Sequence, residues 1–282
     1  MEIHLIANQE LSNQQMNHIK DFIYKMKTKS QLFFKLDPDF LDRANTNMQH
    51  ILVEEKGSIK GYLSLSCYDD EEMEIASVFE EDEFMFEKMV QLAIETAQQQ
   101  SLKRILFIAD QTDIFLIKCL EKLNLASIFS EYRMNFVGEL LGALPLGEEH
   151  QLALTTATVE DRQLMGMVKE TFSNELTDNS LERIQLAKLD NQLIATFRLN
   201  EDEESIGIYG FVVDPQWRGK GFGKRVLYMI IQEIKVQSQT QTKKIYLEVE
   251  CDNQIAFNLY QSIGFKIEAT IDYFKLELPK ND

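Results

Sequence analysis

The sequence predicts an α/β protein: a mixed, twisted sheet flanked by helices, made twice in tandem. Three observations carry that expectation. Short β-branched runs alternate with apolar residues at three-and-four spacing, the pattern repeats at a nearly fixed offset, and a glycine- and proline-rich stretch separates the two copies. At 282 residues with 44% hydrophobic composition, the chain has material for two cores of ordinary size.

In the first copy, residues 51–55 and 59–65 alternate as strands around Lys56-Gly57-Ser58, which reads as a hairpin. A strand reaching Val78 follows, then a helix whose buried face runs through Met89, Leu92, Ala93 and Thr96. Residues 105–110 form the next strand and residues 113–125 the next helix. In the second copy a strand ends at Phe211-Val212-Val213, and a helix carries Leu227, Ile230, Ile231 and Ile234 on one face. A strand over residues 245–250 and a helix over residues 253–265 superimpose on the first copy at an offset of 140 positions (Asp113 onto Asn253). Upstream, Val78 matches Val213 at an offset of 135, so the first copy is shorter where the second has a glycine turn. Gly138, Gly142, Pro145 and Gly147 mark the join, placing domains at 1–140 and 152–282 with a linker at 141–151.

A formal net charge of -17 argues against a polyanionic partner such as DNA, since duplex binding relies on Lys and Arg neutralising phosphates. It suits a cationic or amine-bearing partner, and equally a solvated acidic surface. The N-terminus has no basic region followed by an apolar run, and no segment approaches a membrane span, so the expectation is a cytoplasmic protein without a membrane partner. Cys67, Cys119 and Cys251 are too dispersed for a disulfide framework, and the four histidines stand singly, so no metal site is expected.

Against that acidic background the run from Phe211 through Lys224 stands out. A strand breaks at Asp214-Pro215 and restarts as a helix through Gly219, Gly221 and Gly223, with Arg218, Lys220 and Lys224 beside them. Glycines let the backbone approach an anion, and the N–H groups opening a helix have no intrahelical acceptors. The ordinary alternative is a plain strand-to-helix connection.

The string Arg218-x-x-Gly221-x-Gly223, followed by Asn253-x-x-Ala256-x-x-x-Tyr260-x-x-x-Gly264-Phe265, resembles the GNAT family of N-acetyltransferases. The resemblance covers about residues 152–282 by motif, and 1–140 by pattern only. It implies a sheet whose central strands splay around acetyl-CoA, with no metal. It implies a pyrophosphate site on Arg218, Gly219, Lys220, Gly221, Phe222, Gly223 and Lys224, and pantetheine pairing along Phe211, Val212 and Val213, with an oxyanion donor near Val212. Asn253 matches a position that contacts the cofactor arm, and it also sits where a helix N-cap belongs.

Tyr260 matches the family's general acid. A phenol, with a reference pKa near ~10, is protonated at neutral pH and can donate to a departing thiolate. The bland reading is a core tyrosine. Glu248 is similar in position to the glutamate of the bacterial ribosomal-protein N-terminal acetyltransferases, which takes the amine proton. It shares a strand face with Glu250, and the bland reading is a solvated carboxylate. Tyr209, Glu203 and Glu204 are rivals for the base. Cys251 reads as packing.

Where the second copy has its glycine turn, the first has Glu80-Glu81-Asp82-Glu83, which would repel a pyrophosphate, and Leu120 replaces Tyr260. The first domain is therefore expected to keep the fold without a CoA site, the two copies making a pseudo-dimer within the chain. Asp69, Asp70, Glu71, Glu72 and Glu74 are open to two readings, attraction of a basic acceptor or a charged loop. The expected function is acetyl transfer from acetyl-CoA to a primary amine, on a small molecule or a peptide N-terminus, by direct attack in a ternary complex. A thiol-precursor amine, as in the tandem mycothiol synthases, fits the same architecture. The alternative is a non-catalytic CoA-binding or scaffold protein. The acceptor would be selected by loops such as residues 172–179.

Overall fold

The protein is described by a computed structural model over residues 1–36, 41, 47–67, 70–139, 152–162, 181, 183–202, 204–237 and 243–279. By packing, the chain divides into two compact units, Met1–Glu131 with Ala269–Asp282, and Tyr132–Glu268. The linker expected at 141–151 and the loop at 172–179 lie outside the described residues, as do Asp69 and Glu203.

The first unit opens with β1 (Glu2–Ala7) and α1 (Asn13–Ser30), whose start is fixed by a capping box between Ser12 and Gln15. The expected hairpin is present as β2 (Met48–Glu55) and β3 (Ser58–Ser66). Its turn needs left-handed residues at both central positions, supplied by Lys56 at φ 52° and Gly57 at φ 75°. Strand β4 (Glu72–Phe79), α2 (Glu83–Gln99), β5 (Arg104–Asp110) and α3 (Ile114–Lys122) follow in the expected order. Asp82 and Asp113 cap the two helices by accepting from the amides of Met85 and Leu116. One face of the sheet buries Leu63, Leu65, Met73, Ile75 and Phe107 against Phe86, Met89, Val90 and Ala93 of α2 and Leu116 and Leu120 of α3. The other face packs Leu52, Tyr62 and Val78 on Ile19, Phe22, Ile23 and Met26 of α1.

Two further strands, β6 (Ser127–Phe136) and β12 (Phe265–Glu277), are each divided between the units by the contact boundaries. In the first unit the strand order is β1-β2-β3-β4-β5-β12-β6. The strand beside β5 is thus the last strand of the chain, with Ile271 opposite Asp110 and Glu277 opposite Arg104.

The second unit contains β7 (Leu152–Thr156), β8 (Ile184–Leu189), β9 (Gln192–Glu201), β10 (Ser205–Val213), α4 (Phe222–Gln237), β11 (Lys244–Glu250) and α5 (Gln254–Ile263). The order is β12-β6-β11-β10-β9-β8-β7, so β11 neighbours a strand that follows α3 in sequence. The β8–β9 turn repeats the design of the first hairpin, with Asp190 at φ 47° and Asn191 at φ 64°. Helix α4 buries Val226, Leu227, Ile230, Ile231 and Ile234 against Ile208, Leu247 and Val249. Both units are twisted mixed sheets flanked by helices, as the sequence leads one to expect. No described helix is long and apolar enough to cross a membrane.

Candidate active site

The site begins where two parallel strands part. Strands β10 and β11 pair from Ser205 opposite Lys244 to Ile208 opposite Leu247, and no described residue beyond continues that ladder. Strand β10 meanwhile stays paired to β9 through Val213, but with a bulge: Tyr209 lies opposite Arg198 and Val212 opposite Thr196, three steps against two. Gly210 takes φ 56° within the bulge, a left-handed value that favours glycine. The edge of Phe211, Val212 and Val213 on the side of β11 is therefore left open among the described residues, in a half-buried setting. Backbone amides along such an edge can take an added, strand-like ligand.

Beyond Val213 the buried Asp214 accepts from the amide of Gln216 and starts a short 3-10 turn at Pro215–Trp217. The chain then passes through Gly219 at φ 72° and Gly221 at φ 81° and enters α4 at Phe222. A Cβ added at either glycine would meet nothing within 4 Å, so both are needed for their dihedral angles and the space beside them is open. Gly223 has a different reason: its Cβ would lie 3.2 Å from Leu259 and 3.4 Å from Val213, so it sets the approach of α4 to α5 and β10. The first turn of α4 has no acidic residue, which leaves the positive end of its dipole uncompensated. Lys220 and Lys224 are exposed at this turn; Lys220 Nζ lies 5.4 Å over the Trp217 ring. Arg218 Nε donates to the Val213 carbonyl at 2.8 Å, which lays its guanidinium back along the end of β10. An open glycine turn, a helix N-terminus and nearby cations together fit a ligand carrying a pyrophosphate.

Asn253 is the N-cap of α5, its Oδ1 accepting from the Ala256 amide at 3.1 Å. Tyr260, on the next turns of α5, is 7% exposed and packs with Phe265, Leu247 and Val249. Burial pushes its phenol up to about 12. No described residue hydrogen-bonds its hydroxyl.

Glu248 is the first residue of β11 beyond the last paired position, and it points away from the Tyr260 core. It is not a solvated carboxylate. Its side chain is 12% exposed and meets Arg133 Nη1 of β6 at 3.3 Å, while Arg133 Nε meets Glu268 of β12 at 3.1 Å. The guanidinium carbon lies 3.5 Å over the ring of Tyr246. Tyr246 and Tyr209 join their hydroxyls at 2.6 Å on the same face. Burial pushes both phenols up, helped for Tyr209 by Tyr246 and by the charge of Glu248. Gly207, opposite Tyr246 in the ladder, makes room for this pair: a Cβ there would fall 2.4 Å from Tyr209 and 2.7 Å from Tyr246. Glu204, another rival for the base, lies before the start of β10.

Sequence reasoning missed Arg133, Tyr246, Glu268 and the two special glycines at 207 and 210. Arg133 belongs by order to the first copy, and nothing but strand pairing brings it beside β11. It also missed Thr196, whose hydroxyl is buried opposite Val212 without a hydrogen-bond partner among the described residues, where an orphan costs about 1–3 kcal/mol.

Residues 149–265 match the model of the Acetyltransferase (GNAT) family. A spermine/spermidine N(1)-acetyltransferase of Bacillus subtilis strain 168 is 35% identical over 63 residues, which is 22% of this chain and 40% of the length of that protein. Among solved structures, a GCN5-related N-acetyltransferase from Sphaerobacter thermophilus aligns with 99% of this chain and 97% of its own, at TM-score 0.76 and 14% identity. A tandem GNAT protein from the clavulanic acid biosynthesis pathway aligns over 100% of both chains at TM-score 0.75 and 11% identity. At those identities the likeness is one of fold, and it spans both units.

Proposed function

We propose that the second unit, which holds most of the residues 149–265 matched by the GNAT family model, transfers acetyl from acetyl-CoA to a primary amine. The observation that carries the reading is the fork after Ile208 and Leu247, which opens toward the turn through Gly219 and Gly221. Acetyl-CoA supplies an activated thioester. The amides of Gly219, Lys220, Gly221, Phe222 and Gly223 hold its pyrophosphate, with charge from Arg218, Lys220 and Lys224. The open edge of Phe211, Val212 and Val213 pairs with the pantetheine amides, and Asn253 contacts the arm while capping α5.

Direct attack forms a C–N bond and breaks the C–S bond. The amine proton goes to Glu248 and the thiolate takes the proton of Tyr260, so charge and atoms balance. A phenol held at about 12 stays protonated at neutral pH, ready to donate. An amide near Val212, freed from the ladder by the bulge, stabilises the developing oxyanion. The first sequence copy, residues 1–140, carries no CoA site in this reading. An amine acceptor is consistent with the polyamine named for the Bacillus relative and with the net charge of -17.

The test is amine-dependent release of free CoA thiol across a panel of spermidine, small primary amines and basic peptides, with the acetylated product identified by mass. Turnover of one class supports the reading. Acetyl-CoA binding with no turnover on any amine supports the non-catalytic CoA-binding alternative.

A further inference from the structure

The ion pair at the fork asks for an explanation that cofactor binding does not provide. Arg133 and Glu248 are 14% and 12% exposed, so both charges are largely removed from water, a condition in which a pair rarely adds net stability over an apolar substitute. The arrangement around it is nevertheless specific. Arg133 is held from three sides: by Glu248 of β11, by Glu268 of β12, and by the face of Tyr246 beneath it. Tyr246 is fixed in turn by Tyr209 of β10, and both rings fit only because residue 207 is glycine. Every strand from β10 to β12 contributes a group, and the carboxylate thus fixed stands one residue past the last paired position of the fork.

We infer that Arg133 is a positioning residue for Glu248, pairing with the carboxylate and aiming it at the fork, so that a strand from the first sequence copy completes the site of the second. This rests on the reading of Glu248 as the base. Among the described residues, the charged and titratable groups on the face of Glu248 include Arg133 from β6, Glu268 from β12, Tyr209 from β10, Arg198 opposite Tyr209 on β9, and Tyr246 and Glu250 from its own strand. Removing Arg133 takes away a cation 3.3 Å from Glu248, and the loss of a nearby opposite charge favours the neutral form of a carboxyl.

The test uses the full chain. Side-chain carboxyl resonances are titrated by NMR in the parent protein and in Arg133→Met, with Glu248 assigned by its loss in Glu248→Gln. Beside this, kcat/KM for spermidine, or for whichever amine the panel identifies, is measured against pH in Arg133→Met and Arg133→Lys. The expected results are a Glu248 titration midpoint raised by about one pH unit in Arg133→Met, an acidic limb of kcat/KM displaced by the same amount, and partial restoration by Lys. Acetyl-CoA affinity within twofold of the parent confirms that the variants are folded. An unmoved midpoint overturns the inference whether or not an acceptor is known. A moved midpoint with an unmoved acidic limb contradicts Glu248 as base, and with it the positioning role for catalysis, while leaving the cofactor reading intact. Arg133→Met with parental kcat and pH profile overturns the inference outright.

Discussion

The same strand, connection and helix occur in both units, and the comparison isolates what a fold needs from what a site needs. In the first unit β4 and β5 pair in parallel from Glu72 opposite Arg104 to Ala76 opposite Ile108, as β10 and β11 do from Ser205 to Ile208. In both, the described ladder then stops. From there the two differ at every position that chemistry would use. Strand β4 pairs with β3 in unbroken register from Glu74 to Phe79, whereas β10 has a bulge. Phe79 ends β4 with its ring stacked 4.9 Å from Phe86 and set edge-on 5.9 Å from Phe115, so an aromatic cluster packs at the end of β4.

The connection to α2 has no glycine. Its Glu80 and Glu83 pair with Lys60 and Lys122, and Asp82 is spent as an N-cap. On the opposite sheet face, Leu106 and Ile108 stand at the offset of 140 from Tyr246 and Glu248 and pack with Phe33. Glu131 there takes Lys35 and the hydroxyl of Tyr273, a cation, a carboxylate and a ring arranged much as Arg133, Glu248 and Tyr246 are. The hydrophobic pattern is common to both units, while among the described residues the strand bulge and the glycine turn before the helix belong to the second alone.

The largest effect expected from breaking this comparison is at Tyr260. Tyr260→Phe removes the proton donor while keeping the packing, and should lower kcat by about 10²-fold or more with acetyl-CoA affinity unchanged. The opposite change, Leu120→Tyr in the first unit, should add no activity.

Next is acid stability, in which the first unit has a liability of its own. His50 is fully buried between Asn8 and the Tyr62 hydroxyl, and burial lowers it from 6.5 to about 4. The unfolded chain binds that proton more readily, so the contribution of the neutral His50 is present above pH 6.5 and is lost as pH falls toward 4. The full loss is about 3 kcal/mol, and amide exchange in β2 and β3 should report it, with the slope removed in His50→Gln.

A smaller cost, about 1–3 kcal/mol from overpacking, is expected for Gly207→Ala, read as a fall in Tm with loss of the Tyr209 to Tyr246 contact. The smallest effects sharpen the comparison most. Asp113→Ala and Asn253→Ala each remove an equivalent N-cap and should each cost about 1 kcal/mol of stability. Only Asn253→Ala should also weaken acetyl-CoA.

The element order was legible because apolar spacing and turn residues act locally. Lys56-Gly57 marks its hairpin, Asp113 and Asn253 mark helix starts, and Gly264 at φ 114° ends α5 where Phe265 begins a strand. The glycine turn was legible for the same reason, since Gly219 and Gly221 announce left-handed backbone. What was not legible depends on which strands become neighbours. No local signal tells β12 to lie beside β5, or β6 beside β11, so Arg133 could not be connected with Glu248 by spacing. The bulge was hidden too, because Gly210 in a strand is compatible with several irregularities.

Whether a fold used twice carries one cofactor cradle is decided by calorimetric titration of the full chain with acetyl-CoA, beside Gly221→Glu. One site per chain is expected, abolished by the substitution, which places a carboxylate and a strained left-handed residue where the pyrophosphate should lie. Two sites, or one site that survives Gly221→Glu, would contradict it.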